Sequence, residues 1–137
     1  MKNKICLILL ISIFTISIYA QSKSKVKEHK LKSETVWVYD YSSGKEAKRI
    51  ETLTRFNEQG LISEFSEYDK SGKLKEKIVY TYNENDDVVE EKYFGPGNKP
   101  FKTYKYSYTG NLKATKEKYG PNGKMEWKKV YVYEKAK

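Results

Sequence analysis

Apolar and polar residues alternate along most of the chain after residue 34, with the two-residue period of a β-strand. Gly, Asn, Asp and Ser, which favour tight turns, return about every 12 to 14 residues. The pattern predicts about eight strands, at residues 35–42, 47–57, 61–69, 73–83, 87–94, 99–109, 112–119 and 124–134.

The strands fall into an internal repeat of about 26 residues. Three copies occupy residues 54–79, 80–105 and 106–130, and a fourth begins with YVY at 131–133. Each copy reads as a strand, a turn, a second strand and a second turn, which is a β-hairpin unit. Two aromatic series hold the register, one at Phe56, Tyr82, Tyr108 and Tyr133 and the other at Tyr68, Phe94 and Tyr119.

Copied hairpins predict an all-β fold, an antiparallel meander of about eight strands in an extended or partly curled, twisted sheet. A closed barrel is the main alternative. A two-layer sandwich needs an apolar face on every strand. The strands at 62–68 (ISEFSEY) and 88–94 (VVEEKYF) are mostly polar, and the sequence therefore favours one sheet.

The first twenty residues have the layout of a secretory signal peptide. Lys2 and Lys4 precede an apolar run from 5 to 18, and Ala20 offers a small residue for cleavage. The run is shorter than the ~20 residues of a spanning helix. We therefore predict cleavage after Ala20, a secreted or periplasmic protein and no membrane span after cleavage. An uncleaved N-terminal anchor is the alternative.

Residues 21–34 contain five lysines and two isolated aliphatic residues. Such a segment buries too little apolar surface to offset the entropy lost on ordering. It is predicted to be a flexible basic arm, either a spacer or a contact for an anionic surface. The β-repeat domain is then residues 35–137.

The composition leaves little room for catalysis. The single cysteine is Cys6, the single histidine is His29, and both precede the predicted domain. Thiol and histidine chemistry are thereby excluded there, and we predict a protein that is not an enzyme, with no catalytic residues, metal or cofactor. Cross-strand ion pairing accounts for the carboxylates that could form a glycosidase pair, namely Glu64, Glu67, Glu76, Glu90, Glu91 and Glu117.

The loop NENDD places Asn83, Asn85 and Asp87 at alternate positions, as in short calcium loops. It lacks the glycine and the distant glutamate of such loops. Asn and Asp are also the residues that turns favour, and a turn is the preferred interpretation.

The aromatic stripes are the candidate binding surface. As structure, they are cross-strand pairs that compensate for a thin core. As function, tyrosines beside lysines can stack on sugar rings and attract acidic groups. The predicted partner is an envelope polysaccharide or a protein, and export argues against nucleic acid. The candidate ligand-binding residues are Tyr80, Tyr82, Tyr104, Tyr106, Tyr108, Trp127, Tyr131 and Tyr133.

Residues 68–74, YDKSGKL, are similar to the Tyr-Asp repeat of the Rhs and YD-repeat family. The turns FNEQGLI (56–62), YNENDDV (82–88), FGPGNKP (94–100) and YGPNGKM (119–125) are weaker versions. MORN-type repeats are similar in their Tyr and Asn-Gly content. The resemblance implies a β-strand array at or beyond the cell envelope and carries over no functional residue.

The expected role is an exported, non-enzymatic binding or scaffold module. The alternative is an inhibitor or immunity-type protein that masks a toxin or hydrolase through an edge strand.

Overall fold

The computed structural model describes residues 22–136. The chain forms one short helix, eight strands and a single 3₁₀ turn within this range. They are α1 (Lys23–Glu28), β1 (Ser33–Asp40), β2 (Ala47–Phe56), β3 (Ile62–Tyr68), β4 (Leu74–Tyr82), β5 (Val88–Phe94), the 3₁₀ turn (Pro96–Asn98), β6 (Pro100–Thr109), β7 (Leu112–Tyr119) and β8 (Met125–Val130). The predicted signal peptide, residues 1–20, lies outside the described residues.

The eight strands form one antiparallel sheet in the order of the chain, from β1 to β8. Each strand pairs with its chain neighbours, and the sheet stays open between β1 and β8. The predicted all-β meander is confirmed, and the alternative of a closed barrel is wrong. Most strand ends lie within two residues of their predicted positions, because aromatic residues and turn residues mark both ends of each hairpin.

Five of the turns share one hydrogen-bond pattern. In the turn 69–73, Asp69 N–H donates to Lys73 O at 2.8 Å and Gly72 N–H donates to Asp69 O at 2.9 Å. The fourth residue needs a positive φ, which is +77° at Gly72. The Asp69 side chain fixes the turn further, since its Oδ1 accepts from Ser71 N–H and Lys73 N–H. The same backbone pattern begins at Asn57, Asn83, Gly95 and Gly120.

The turn between β6 and β7 is shorter, because Thr109 pairs directly with Leu112. Gly110 has a φ of +60° in the first position of this two-residue turn. The shorter connection accounts for the one repeat interval of 25 residues instead of 26 in each aromatic series, since both intervals cross it.

A tyrosine hydroxyl closes the open end of three successive hairpins. Tyr82 Oη donates to Ile62 O at 2.7 Å, and Tyr108 Oη donates to Val88 O at 2.7 Å. Tyr133 Oη donates to the carbonyl 20 residues earlier in the same way, at 2.8 Å. The repeat seen in the sequence is therefore also a repeat of contacts. Phe56, which starts the series, has no hydroxyl to make this bond.

The core is small because the strands form a single layer. Phe65 on β3 and Ile78 on β4 are cross-strand partners and are both buried. Thr54 and Ser66 are the buried polar residues beside them. The sheet thus depends on its hydrogen-bonded ladder and on side chains that lie flat over each face.

The helix α1 covers the turn 57–61. Val26 is buried, and Gly60 lies so close to Lys27 and the Lys23 carbonyl that it has no room for a Cβ atom. Lys23 also forms an ion pair with Asp86. The sequence predicts a flexible arm over 21–34, whereas α1 and the start of β1 both lie in this segment. The buried side chain of Val26 holds this segment against the sheet, which the lysine-rich composition did not indicate.

Candidate functional site

The two faces of the sheet differ in chemistry. Cross-strand partners share a face, and on one face they form a row across β4 to β8, which runs Tyr80, Glu91, Tyr104, Lys118 and Trp127. A parallel row runs Tyr106, Lys116 and Lys129. We call this side the tyrosine face.

The opposite side carries alternating charges. Its row across β5 to β8 runs Glu90, Lys105, Glu117 and Lys128. Lys128 lies 2.9 Å from Glu117, and Lys105 lies 3.9 Å from Glu90. We call this side the ion-pair face.

Seven of the eight predicted site residues separate into two groups, and Tyr131 belongs to neither. Tyr80, Tyr104, Tyr106 and Trp127 lie on the tyrosine face within β4, β6 and β8. Tyr82, Tyr108 and Tyr133 donate their hydroxyls to backbone carbonyls and therefore have a structural role. Tyr131 follows β8, donates its N–H to Ala114 O at 2.9 Å and is exposed.

Lysine ammonium groups lie over the aromatic rings of the tyrosine face. Lys102 Nζ is 4.0 Å from the ring centre of Tyr93, and Lys116 Nζ is 4.2 Å from that of Tyr104. Such cation–π contacts hold the lysines against the rings while their charge stays accessible. We call the group the lysine–aromatic cluster, which comprises Lys102, Lys113, Lys116, Lys129, Tyr93, Tyr104, Tyr106 and Trp127.

Two lysines of this cluster stand directly opposite each other. Lys116 on β7 and Lys129 on β8 are cross-strand partners, an arrangement that destabilises a sheet. Within residues 22–136 neither ammonium has a carboxylate within 4.0 Å. Burial lowers the pKa of Lys116, and the positive charges of Lys113, Lys129 and Lys102 lower it further against the opposing effect of Glu91. An anion placed here would relieve this repulsion.

A second pair of like charges faces each other on β3 and β4, and there a nearby lysine neutralises one of them. Glu67 and Glu76 are cross-strand partners on β3 and β4. Lys75 Nζ lies 2.6 Å from Glu67, which neutralises one of the two charges. The pair Lys116–Lys129 has no comparable partner in the described part of the chain.

Glu91 forms the inner boundary of the cluster. Tyr106 Oη donates to Glu91 Oε2 at 2.9 Å and Tyr93 Oη donates to the same oxygen at 3.2 Å. Burial, together with the Glu91 charge, raises the pKa of both tyrosines, and burial raises the pKa of Tyr80 to about 12. These hydroxyls therefore remain protonated donors at neutral pH.

The other candidate chemistry has structural explanations. Lysine or arginine pairs with Glu64, Glu67, Glu90 and Glu117. Asn83 Oδ1 accepts from Asn85 N–H and Asp87 N–H, which uses this oxygen for the turn. Over residues 22–136 there is no group of three His, Cys, Asp or Glu side chains arranged to hold a metal ion.

A hollow of about 760 Å³ lies between α1 and the turn 57–61. Its floor is apolar, with Val26, Leu31 and Phe56, and its charged residues are Lys27, Lys30, Lys32, Arg55 and Glu58. One carboxylate among four cations cannot act as an acid–base pair of carboxyl groups. Between residues 22 and 136 no helix has the length and apolar character to cross a bilayer.

Sequence reasoning missed five of the eight members of the lysine–aromatic cluster, namely Tyr93 and the four lysines. It selected the aromatic residues of the long strands and treated β5 as polar, although Tyr93 and Glu91 lie there on the tyrosine face. Apolar and polar residues do not alternate in VVEEKYF, and the available signal is the two-residue side-chain period of a strand, which puts Glu91 and Tyr93 on one face. Their neighbours become clear only with the register, because Glu91 stands between Tyr80 and Tyr104.

Comparison with known proteins adds no assignment. No protein-family model matches the chain, and no curated protein matches it either.

Proposed function

We propose that this protein is an exported, non-enzymatic β-repeat module of the cell envelope that binds an anionic glycan through the lysine–aromatic cluster. The observation that carries the proposal is the pair Lys116–Lys129 on an aromatic surface, which has no salt bridge within the described residues. A glycan with carboxylate, sulfate or phosphate substituents supplies the missing negative charge.

The aromatic rings favour a sugar polymer over a simple ion. Tyr104 and Trp127 have ring centres 5.9 Å apart, and Tyr93 and Tyr104 have ring centres 5.6 Å apart. These rings offer apolar surface with a polar edge. Adjacent strands lie about 4.8 Å apart, so the cluster on β5 to β8 extends over a length that suits a chain of sugar units better than one small molecule.

The proposed location rests on the N-terminal pattern of residues 1–20. The similarity of YDKSGKL (68–74) to the Tyr-Asp repeats of surface proteins points the same way. Export to the envelope brings the protein to polysaccharides and away from nucleic acid. The net charge of +9 favours anionic partners in general.

The proposal is tested by titration with a polyuronate and with a neutral polysaccharide of similar length. Trp127 fluorescence reports binding in a Trp37→Phe background, since Trp37 lies on β1, far along the sheet from the cluster. We expect binding of the polyuronate that weakens with added salt, because part of the attraction is Coulombic. The neutral polymer should bind at least about tenfold more weakly.

A matched pair of double variants separates site binding from net charge. Lys116→Gln with Lys129→Gln removes two charges from the tyrosine face, and Lys92→Gln with Lys128→Gln removes two from the ion-pair face. The first should weaken binding about tenfold or more, and the second much less. Equal losses, or no polyuronate binding at low salt by a folded protein, would contradict the proposal.

A second candidate function is the masking of a toxin or hydrolase through an edge strand. The open sheet supports it, since β1 and β8 each have one unpaired side among the described strands. Chemical cross-linking in the periplasm followed by affinity capture discriminates the two. A stoichiometric foreign protein favours this candidate, and co-purifying polysaccharide favours the first.

A further inference from the structure

We propose that copies of this chain join head to tail, with β8 and the residues after it pairing antiparallel to β1 of the next copy. The proposal does not depend on glycan binding. It concerns the two edges of the sheet that have no neighbouring strand among the described residues, β1 and β8. Lys129 and Trp127 of the lysine–aromatic cluster lie on β8, and the other members of the cluster lie on inner strands.

Exposed apolar side chains concentrate at these two edges. Val132 is 86% exposed and Val130 is 66% exposed at one edge, and Trp37 is 48% exposed at the other. Only two of the exposed large apolar residues in the described chain, Phe101 and Leu112, lie elsewhere. Apolar residues on an open edge are typical of a surface that pairs with another strand.

The backbone directions fix which residues can pair. Tyr131 N–H donates to Ala114 O of β7, so the backbone groups of Val130 and Val132 point away from β7 in an extended chain. Lys32 O accepts from Phe56 N–H of β2. By the same alternation along β1, Trp37 and Tyr39 point their backbone groups away from β2.

One register joins these outward groups and matches their side chains. It places Val132 opposite Trp37 and Val130 opposite Tyr39, which are apolar pairs on the ion-pair face side. The same register places Lys129 opposite Asp40 and Lys135 opposite Glu34. Tyr131 and Tyr133 then face Val38 and Val36. Every charged side chain of these pairs meets the opposite sign.

Pairing of β8 with a second β8, or of β1 with a second β1, is disfavoured. β1 contains two carboxylates and no basic residue, and residues 128–135 contain three lysines and one glutamate. Two copies of β8, or two copies of β1, would bring like charges together. Lysines on β8 thus oppose a symmetric dimer and favour the acidic edge of β1.

The internal repeat also indicates that β1 of a second copy pairs beside β8. The segments YTY (80–82) and YSY (106–108) are each followed by a strand that pairs beside them, since Tyr82 pairs with Val88 and Tyr108 with Lys113. The segment YVY (131–133) occupies the equivalent place, and β1 of a second copy has the direction that the next strand would have. A heterologous contact of this kind builds a ring or a filament and not a two-fold dimer.

Cysteine cross-linking tests the register. Val38 and Tyr131 would form a non-hydrogen-bonded pair with Cα atoms about 4.5 Å apart, within disulfide range. All variants carry Cys6→Ser. We expect Val38→Cys with Tyr131→Cys to give a ladder of covalent multimers under mild oxidation. Val36→Cys with Tyr131→Cys, shifted by two residues, should give far less.

The cross-linking result would overturn the proposal if the double variant stayed monomeric, or if either single cysteine variant dimerised as efficiently as the double variant forms its ladder. The second outcome would indicate a symmetric contact between like edges.

Sedimentation velocity tests the contact without cross-links. The full chain is expressed and the N-terminus of the purified protein is read by mass spectrometry. Val132→Pro removes an outward N–H and should weaken self-association at least about tenfold. Val132→Thr, which keeps that N–H, should weaken it less.

A charge exchange completes this test. Lys135→Glu and Glu34→Lys should each weaken association, and the double variant should restore it. Wild-type protein that stays monomeric at all accessible concentrations would overturn the proposal, as would equal association by wild type and Val132→Pro.

Discussion

The ion-pair face and the tyrosine face both carry lysines and glutamates but arrange these charges in opposite ways. On the ion-pair face, Glu90, Lys105, Glu117 and Lys128 alternate in sign across four strands. On the tyrosine face, Lys116 and Lys129 stand side by side. The first arrangement neutralises itself, and the second leaves charge available for a ligand.

The difference has a consequence for stability. Exposed ion pairs contribute about 0–1 kcal/mol each, so the alternating charges mainly keep the ion-pair face soluble and in register. The packed residues Phe65 and Ile78 lie on the side of Tyr80 and Tyr93. The same face therefore supplies both the core and the candidate site.

The largest expected effect comes from this core. Ile78→Ala should lower the free energy of unfolding by about 2 kcal/mol or more, because Ile78 is buried against Phe65. Val79→Ala, the adjacent residue on the other face, is the matched control and should cost less. Urea unfolding measures both. Equal losses would mean that the two faces are equally packed.

Alkaline pH should unfold the protein through the tyrosine face. Burial raises the pKa of Tyr80 to about 12 in the folded protein from an ordinary value of 10. The neutral form is favoured on folding, so this stabilisation is complete below pH 10 and is lost as the pH rises through about 12. Tyrosinate absorbance and circular dichroism, followed together, measure the transition. Tyr80→Phe should flatten the pH dependence, and titration of all tyrosines near pH 10 in folded protein would contradict this prediction.

Removal of one hairpin closure should have an intermediate effect. Tyr108→Phe deletes the hydroxyl that donates to Val88 O and should cost about 1 kcal/mol. Tyr119→Phe on the ion-pair face deletes a hydroxyl that donates to the Glu117 carboxylate and should cost less, since that carboxylate keeps its ion pair with Lys128. Thermal unfolding of the two variants compares them. A larger loss for Tyr119→Phe would show that the repeated backbone contact is not stabilising.

The smallest expected effect is an increase in stability on removal of a charge. Lys129→Gln removes one of two facing like charges and should stabilise the sheet by about 0.2–1 kcal/mol, while it weakens polyuronate binding. Lys128→Gln on the ion-pair face breaks the pair with Glu117 and should be neutral or slightly destabilising. Urea unfolding at low salt measures both. Loss of stability in Lys129→Gln would remove the argument that this lysine is kept for a ligand.

The sequence predicts the strands well because each hairpin carries its own local signals. Strand β7 ends where the pattern places it, at Tyr119, and β5 begins one residue from its predicted start. Strand β8 is the exception, since it ends at Val130 and not at 134. The residues beyond Val130 have β7 on one side and no strand on the other within the described chain, which shortens their pairing.

The candidate site was less predictable than the fold because it depends on pairing between strands. Alternation assigns Tyr80, Tyr104 and Tyr106 to one face of their own strands. It does not say that Glu91 lies between Tyr80 and Tyr104, or that Lys116 faces Lys129. Every pair of neighbouring strands shifts its register by one residue, in most pairs near the turn, as at Thr81 and Tyr82, but between β1 and β2 at Val36 and Trp37. Such irregularities set the pairing and are hard to place by composition.

Each strand of this protein pairs only with the strand before it and the strand after it. A whole hairpin repeat could therefore be duplicated or deleted by recombination without disturbing the remaining repeats. The array could change its length over evolution while every hairpin kept its own stabilising contacts. Such an architecture also predicts that unfolding starts at the two outer hairpins and proceeds inward, so that the middle of the sheet exchanges its amide protons last.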